Sequence, residues 1–373
     1  MLASIDVLAK RLHPRASNDE SGLEYWLRQT LNLVQKYRLN PLRAARALSY
    51  IAVGMHDAGA AASPPDFACE VAGGELAGFF FPEEPAGLAR IRLVERGANL
   101  RSSATRLRAG WNVGQAAAQM TIKRALDDGA DPGGAALQPP QDAQRFPYPW
   151  KATPPLWASR PTEPLAPRWR TWLVAADIAD AVPAPPVFDA ERYRTEIAEV
   201  LAVHRSLSAE QKKRADDWNL DLGTVTPAGV WMLKLLALPQ YQRMPAIERS
   251  ACASLLATTM LDAFIACWRV KYKWWTERPV TAIRRELDSA FVPHLVTPAF
   301  PSYVSGHASV SGAAAAVLAA CFPGLSASLQ KEAEQAAASR LYGGIHFRAD
   351  NDAGLELGRR VGAVAIGLLG RER

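Results

Sequence analysis

Cysteine is scarce. Cys69, Cys252, Cys267 and Cys321 are the only four in 373 residues, and they lie far apart. They form no C-x-x-C pair and no disulfide framework, so free or buried thiols are expected. Histidine is nearly as rare, with six, and no H-E-x-x-H motif occurs. The usual helical signature of a zinc hydrolase is therefore missing. No apolar run reads as long enough to span a bilayer. The first twenty residues mix charges into their apolar positions and lack the unbroken apolar core of a secretory signal. The chain is thus expected to be cytoplasmic and away from membranes.

Neither sign of charge dominates. The formal net charge is +6, which either a solvated surface or a basic funnel for an anionic substrate would produce. The densest basic stretch, 90–108, spreads six arginines among apolar residues at helical spacing. It carries no binding module, so no nucleic-acid partner is expected.

Period-two alternation is rare, and what remains is helical, so the fold class expected is an all-α helical bundle. Helices are predicted over 24–39, 41–62, 112–128, 189–205, 209–217, 227–238, 247–275, 308–321, 326–341 and 345–369. Within 41–62, Ala45, Leu48, Ile51, Ala52 and Met55 form a stripe of 3.6-residue period. From 139 to 186 prolines recur, which predicts an irregular wrap or linker. Its four tryptophans, Trp150, Trp157, Trp169 and Trp172, argue that it packs onto the body of the protein. The expected organisation is a helical part over 1–138, the wrap over 139–188 and a helical core over 189–373, together one integrated domain.

Three motifs carry chemistry. In the first, Lys271 and Arg278 stand seven residues apart, two helical turns, so they are expected on one face with Trp268 and Trp275. Two cations with no acid at i+3 or i+4 between them repel unless an anion sits before them; the ordinary alternative is a snorkelling surface pair. In the second, Ser305, Gly306 and His307 open a helix of small residues. A helix start offers free N–H groups and positive potential, Gly306 allows close backbone approach, and His307 titrates near neutrality. The bland alternative is a serine N-cap beside a surface histidine. In the third, Ser339-Arg340 precede Gly343-Gly344, His346 and Asp350. His346 and Asp350 are four apart on a predicted helix, so the carboxylate can fix one ring nitrogen and leave the other free to attack or to ligate. A plain surface pair has the same spacing. Together these groups suit a tetrahedral or trigonal-bipyramidal oxyanion.

The combination K-x6-RP, P-S-x-x-SGH and SR-x5-H-x3-D resembles the superfamily of type 2 phosphatidic acid phosphatases and vanadium-dependent haloperoxidases. Similarity over 41–62, 112–130, the DWNLDLGTVTP stretch and RPVTAIR resembles the soluble haloperoxidase branch. The resemblance implies vanadate as cofactor, with Lys271, Arg278 and Arg340 around its equatorial oxygens and Ser305 and the Gly306 amide adding hydrogen bonds. It implies His346 as the apical metal ligand held by Asp350, His307 as the acid/base group, and Asp221 as a carboxylate behind Arg340. Trp268 and Phe300 are similar to the halide and substrate pocket of chloride-type members. Val304 stands where the family pattern has proline, and the chain is short for the family, which implies trimmed loops.

The implied reaction oxidises a halide with hydrogen peroxide and halogenates a small organic substrate; a homo-oligomer is left open. Phosphate in the same site would instead imply a phosphatase acting through a phosphohistidine at His346. Two further readings are a helical protein that binds an anion without catalysis, and a zinc hydrolase built on His294, His307 and His346. Three cations would repel zinc there.

Overall fold

The computed structural model describes residues 21–63, 65–84, 103–131 and 147–369. Among these the regular structure is helical, apart from one isolated bridge between Pro149 and Thr276. In chain order the helices are α1 (Gly22–Lys36), α2 (Pro41–Ala61), α3 (Pro65–Phe80), α4 (Ala104–Leu126), α5 (Ala190–Arg205), α6 (Ala209–Asp217) and α7 (Thr226–Ala237). They continue as α8 (Pro239–Gln242), α9 (Ala246–Trp274), α10 (Pro279–Glu286), α11 (Gly306–Cys321), α12 (Ser326–Tyr342) and α13 (Arg348–Leu369). The all-α expectation holds. The N-terminal segment and most of the arginine-rich stretch lie outside the described residues, as does the start of the proline-rich region.

The chain forms two compact units. The first comprises Met1–Asp128 and Asp221–Leu261, the second Gly129–Leu220 and Asp262–Arg373. In the first unit, Ser21 and Asn40 cap α1 and α2 through side-chain oxygens, and Pro41 opens α2. Sequence reading missed α3, because two adjacent glycines, Gly73 and Gly74, argue against a helix. Packing supplies the reason. A Cβ on Gly73 would stand 2.5 Å from the Trp26 ring of α1. The bare backbone lets that ring lie against α3, and the Trp26 indole donates to Glu70 Oε2 at 3.0 Å. Tertiary fit overrides the glycine penalty.

Helix α9 corrects a second expectation. It is long and apolar enough, by length and composition, to cross a membrane. Thr258, Thr259 and Asp262 disguise the run in the sequence. However, 83% of that apolar window is buried inside the protein, as suits a core helix.

In the second unit, the described residues of the proline-rich segment have no α-helix and only short 3-10 turns at Ala166–Arg168, Ala176–Ala181 and Pro186–Phe188. It docks on one side of α9 through its backbone. The Asp262 carboxylate accepts from the amides of Trp172, Leu173 and Val174. Arg269 Nε donates to the Pro167 carbonyl, and the Trp268 indole and Tyr272 hydroxyl both donate to the Thr162 carbonyl. Spacings of six, one and three residues keep these side chains along one helical stripe. Trp150 and Trp169 are buried, but Trp157 is 63% exposed and does not pack as the sequence suggested.

Helices α11 and α13 pack backbone against backbone. Gly354, Gly358 and Gly362 line one face of α13 at four-residue spacing. A Cβ on Gly354 would stand 2.7 Å from the Ser305 carbonyl oxygen, and one on Gly358 would overlap the Ser309 carbonyl oxygen. The small side chains after His307 therefore let two backbones nearly touch, which sets the start of α11 against Asp350. Ser305 N–H donates to the Asp350 carbonyl at 2.9 Å.

Candidate active site

The three motifs meet within the second unit. Lys271 lies in the last turn of α9, but α9 ends at Trp274, and Arg278 is the N-cap of α10. The two cations therefore do not share one helical face. Trp275 has φ 48°, and Thr276 turns the chain: its carbonyl accepts from Ser302 N–H and its hydroxyl from Tyr303 N–H. Pro279, without an N–H, completes the break. Trp275 packs edge-on against Trp150 and Tyr272.

Lys271 is fully buried and donates to the carbonyls of Pro301 and Ser302 at 2.7 and 2.8 Å. An ammonium has three donors, so one remains for another acceptor. Arg278 is equally buried. Its Nε donates to the Phe300 carbonyl, and Nη1 to the Ile345 carbonyl and to His346 Nε2 at 3.0 Å. Its Nη2 has no partner.

His346 precedes α13 rather than lying on it, because Gly344 at φ 71° turns the chain after α12. The link to Asp350 forms all the same: His346 Nδ1 lies 2.9 Å from Asp350 Oδ2. That oxygen also accepts from the Ser302 hydroxyl at 2.6 Å and the Phe347 amide at 3.1 Å. A carboxylate accepts and Arg278 donates, so the tautomer is fixed by its neighbours: Nδ1 carries the proton and Nε2 keeps its lone pair.

Ser305 caps α11, its Oγ accepting from Ala308 N–H. Its own hydroxyl proton stays available. His307 follows in the first turn; its ring bonds the Trp218 backbone and its Nε2 is buried without a partner. Arg340, 1% exposed, donates to the Ala215 carbonyl and to Ser339 Oγ. Val304 is fully buried, follows a cis peptide, and its carbonyl accepts from Cys267 Sγ.

The electrostatics describe a site short of negative charge. Burial pushes Lys271 down to about 7 and Arg278 down to about 9. Burial, then the surrounding cations, hold His307 and His346 well below the ordinary histidine range, so both are neutral at neutral pH. Burial also lifts Asp350. Burying cations this deeply is costly unless a counter-charge joins them. The unpartnered Arg278 Nη2 provides a donor beside it, and the unpartnered His307 Nε2 an acceptor for a proton. This set fits a tetrahedral oxyanion such as vanadate or phosphate. Lys271, Arg278, Arg340, Ser305 and the Gly306 amide would hold it, and unprotonated His346 Nε2 would ligate it in exchange for the bond it accepts from Arg278 Nη1.

Trp268 and Phe300 form an aromatic wall, with ring centroids 4.9 Å apart. Lys271 Nζ lies 5.0 Å from the Phe300 centroid and the Arg278 guanidinium 4.7 Å, both cation–π contacts. The remaining assignments fare differently. Asp221 is exposed in the first unit, and its carboxylate accepts from the Leu222 amide. His294 pairs with Asp216 at 2.7 Å. Among the described residues no group of three or more His, Cys, Asp or Glu side chains is arranged to hold a metal ion, so His294, His307 and His346 do not form a zinc triad. Sequence reading missed Ser302 as the donor to Asp350, although it stands inside the quoted motif. It also missed the carbonyls of Ala215 and Trp218, which have no side-chain signature.

Residues 326–371 match the family model of the VCPO second helical-bundle domain. No curated protein is similar in sequence. The fold is similar to the first bacterial vanadium-dependent iodoperoxidase of known structure (TM-score 0.79, 24% identity), with 93% of this chain and 95% of that one covered. The chain is thus not trimmed relative to that structure. A bacterial vanadium-dependent chloroperoxidase is also similar. In its holo form the TM-score is 0.71 at 15% identity, covering 89% of this chain and 93% of that one. In its apo form the TM-score is 0.70 at 16% identity, with 89% and 95% covered. The chain thus has the helical fold of these bacterial vanadium-dependent peroxidases, and its C-terminal segment matches the VCPO second helical-bundle domain.

Proposed function

We propose that the chain is a vanadate-dependent haloperoxidase that uses hydrogen peroxide to oxidise a halide and halogenate a small organic substrate. One observation carries this reading: three buried cations surround a neutral histidine whose Nδ1 proton is held by Asp350, which leaves Nε2 as the unprotonated nitrogen, facing Arg278. The chemistry that vanadate supplies when bound is Lewis-acid activation of peroxide. The chain's residues supply the rest. Lys271, Arg278 and Arg340 hold the oxyanion charge. Asp350 keeps the Nδ1 proton on His346. His307, neutral at neutral pH, is able to take a proton from incoming peroxide at Nε2. Trp268 and Phe300 exclude water from one side of the site.

Halogenation of an activated arene with orthovanadate and hydrogen peroxide, run beside p-nitrophenyl phosphate hydrolysis without vanadate, tests this. Vanadate-dependent halogenation is expected. Phosphate release with no halogenation would replace the proposal with a phosphatase.

The buried lysine adds a pH dependence. Lys271 loses its charge as pH rises through about 7. Sulfate keeps its charge over that range, so its affinity reports the protein groups. Affinity is expected to be highest below pH 7 and to weaken by up to roughly tenfold per unit above it. Lys271→Met should bind weakly with a flatter profile. Calorimetric titration at several pH values measures both; tighter binding at high pH would overturn the assignment of Lys271.

A further inference from the structure

Glu277 stands beside Arg278 in the chain, and it is 1% exposed. A buried carboxylate there would be expected to pair with the adjacent guanidinium and neutralise the charge an anion needs. The structure shows another arrangement. Glu277 Oε2 accepts from Arg285 Nη1 at 2.6 Å, and Oε1 accepts from the Tyr193 hydroxyl at 2.8 Å. No ion pair joins Glu277 to Arg278, whose bonds go to two carbonyls and His346 and whose Nη2 stays without a partner.

The clamp around Glu277 is closed on several sides. The Arg285 guanidinium lies 4.0 Å from the Tyr148 centroid. Tyr148 stacks on Tyr193 with centroids 5.5 Å apart, and the Glu277 amide donates to the Tyr148 carbonyl. Tyr193 meets Phe347 edge-on, and Phe347 N–H donates to Asp350. Arg285 also bonds Glu286 at the surface. Consecutive residues therefore serve different ends: Thr276 holds the Ser302 loop, Glu277 enters the clamp, and Arg278 enters the cage.

We infer that Arg285 is a positioning residue that holds the Glu277 carboxylate away from Arg278, so that the Arg278 charge remains available to the bound anion. The inference rests on reading the cage as an anion site. Without the Arg285 charge, Glu277 would be a buried acid without its cation, next in the chain to the buried Arg278 guanidinium. The loss is then electrostatic and reversible by a second charge removal, which a packing role would not produce.

Sulfate and orthovanadate affinities of the full chain test this, measured by calorimetry below the unfolding temperature. Arg285→Gln is expected to weaken both by about tenfold. Arg285→Lys keeps the charge but not the planar stack on Tyr148, and should stay within about threefold of wild type. The double variant Glu277→Gln/Arg285→Gln should recover to the same level. Unchanged affinity in Arg285→Gln overturns the inference. So does an equal loss in Arg285→Lys or in the double variant, because packing would then be the cause. If the wild type binds neither anion, the cage reading itself fails.

Discussion

Alanine at His346 is expected to cut vanadate-dependent halogenation by at least about a thousandfold while sulfate still binds. The split follows from the geometry. Sulfate needs only the charges of Lys271, Arg278 and Arg340, and the substitution leaves all three in place. Catalysis needs the Nε2 lone pair, which no neighbouring group replaces. Arg278 Nη1 loses one acceptor but keeps the Ile345 carbonyl. Asp350 Oδ2 keeps Ser302 and Phe347 as donors after His346 is gone. The fold should therefore survive, with a stability loss of about 1–3 kcal/mol for the bonds broken. Steady-state halogenation, sulfate calorimetry and thermal unfolding on the same preparation check all three. Substantial remaining activity would remove His346 from its proposed role.

The second large effect lies outside the cage. Asp262→Ala is expected to destabilise the protein by about 4 kcal/mol. The side chain is fully buried, and three backbone amides of the proline-rich segment donate to it. Burial pushes its carboxyl up to about 6 even against those three donors, so it is ionised at neutral pH but strained by desolvation. That penalty holds the estimate well below three full charge-assisted bonds, each worth roughly 1.5–3 kcal/mol. Asp262→Asn should fall between, since one amide oxygen cannot serve three donors equally well. Denaturant unfolding measures the difference; a loss under about 1 kcal/mol would show that the segment is held elsewhere. The carbonyl of Thr162 belongs to the same segment and orients Trp268, so the aromatic wall should loosen with it.

Much of the site was legible from residue spacing. Lys271, Arg278, Ser305, His307, Arg340, His346 and Asp350 are found together in one unit, because the motifs fix the local backbone near each of them. The geometry between motifs was less legible. Lys271 and Arg278 read as one helical face, whereas Trp275 in the left-handed region and Pro279 divide them between two helices. Periodicity does not register a single residue at positive φ. Helix α3 was hidden because the penalty for Gly73 and Gly74 is local and the gain from packing Trp26 is not. The supporting carbonyls of Ala215 and Trp218 could not be read at all, since any residue provides a carbonyl. The acidic residue at 277 was visible, but its choice of Arg285 over Arg278 is a property of the fold.

The glycine face of α13 limits how this site can be altered. Gly354 and Gly358 leave no room behind Ser305 and Ser309 for even one methyl group. Any remodelling toward bulkier substrates must therefore come from elsewhere, and the place where Thr162, Trp268 and Phe300 meet is the candidate. That place is built from an irregular segment whose outer residues, Leu156 and Trp157, already face solvent. The molecule thus pairs a back wall closed to substitution with a front held mainly through its backbone, where the side chains of the irregular segment leave more room for change.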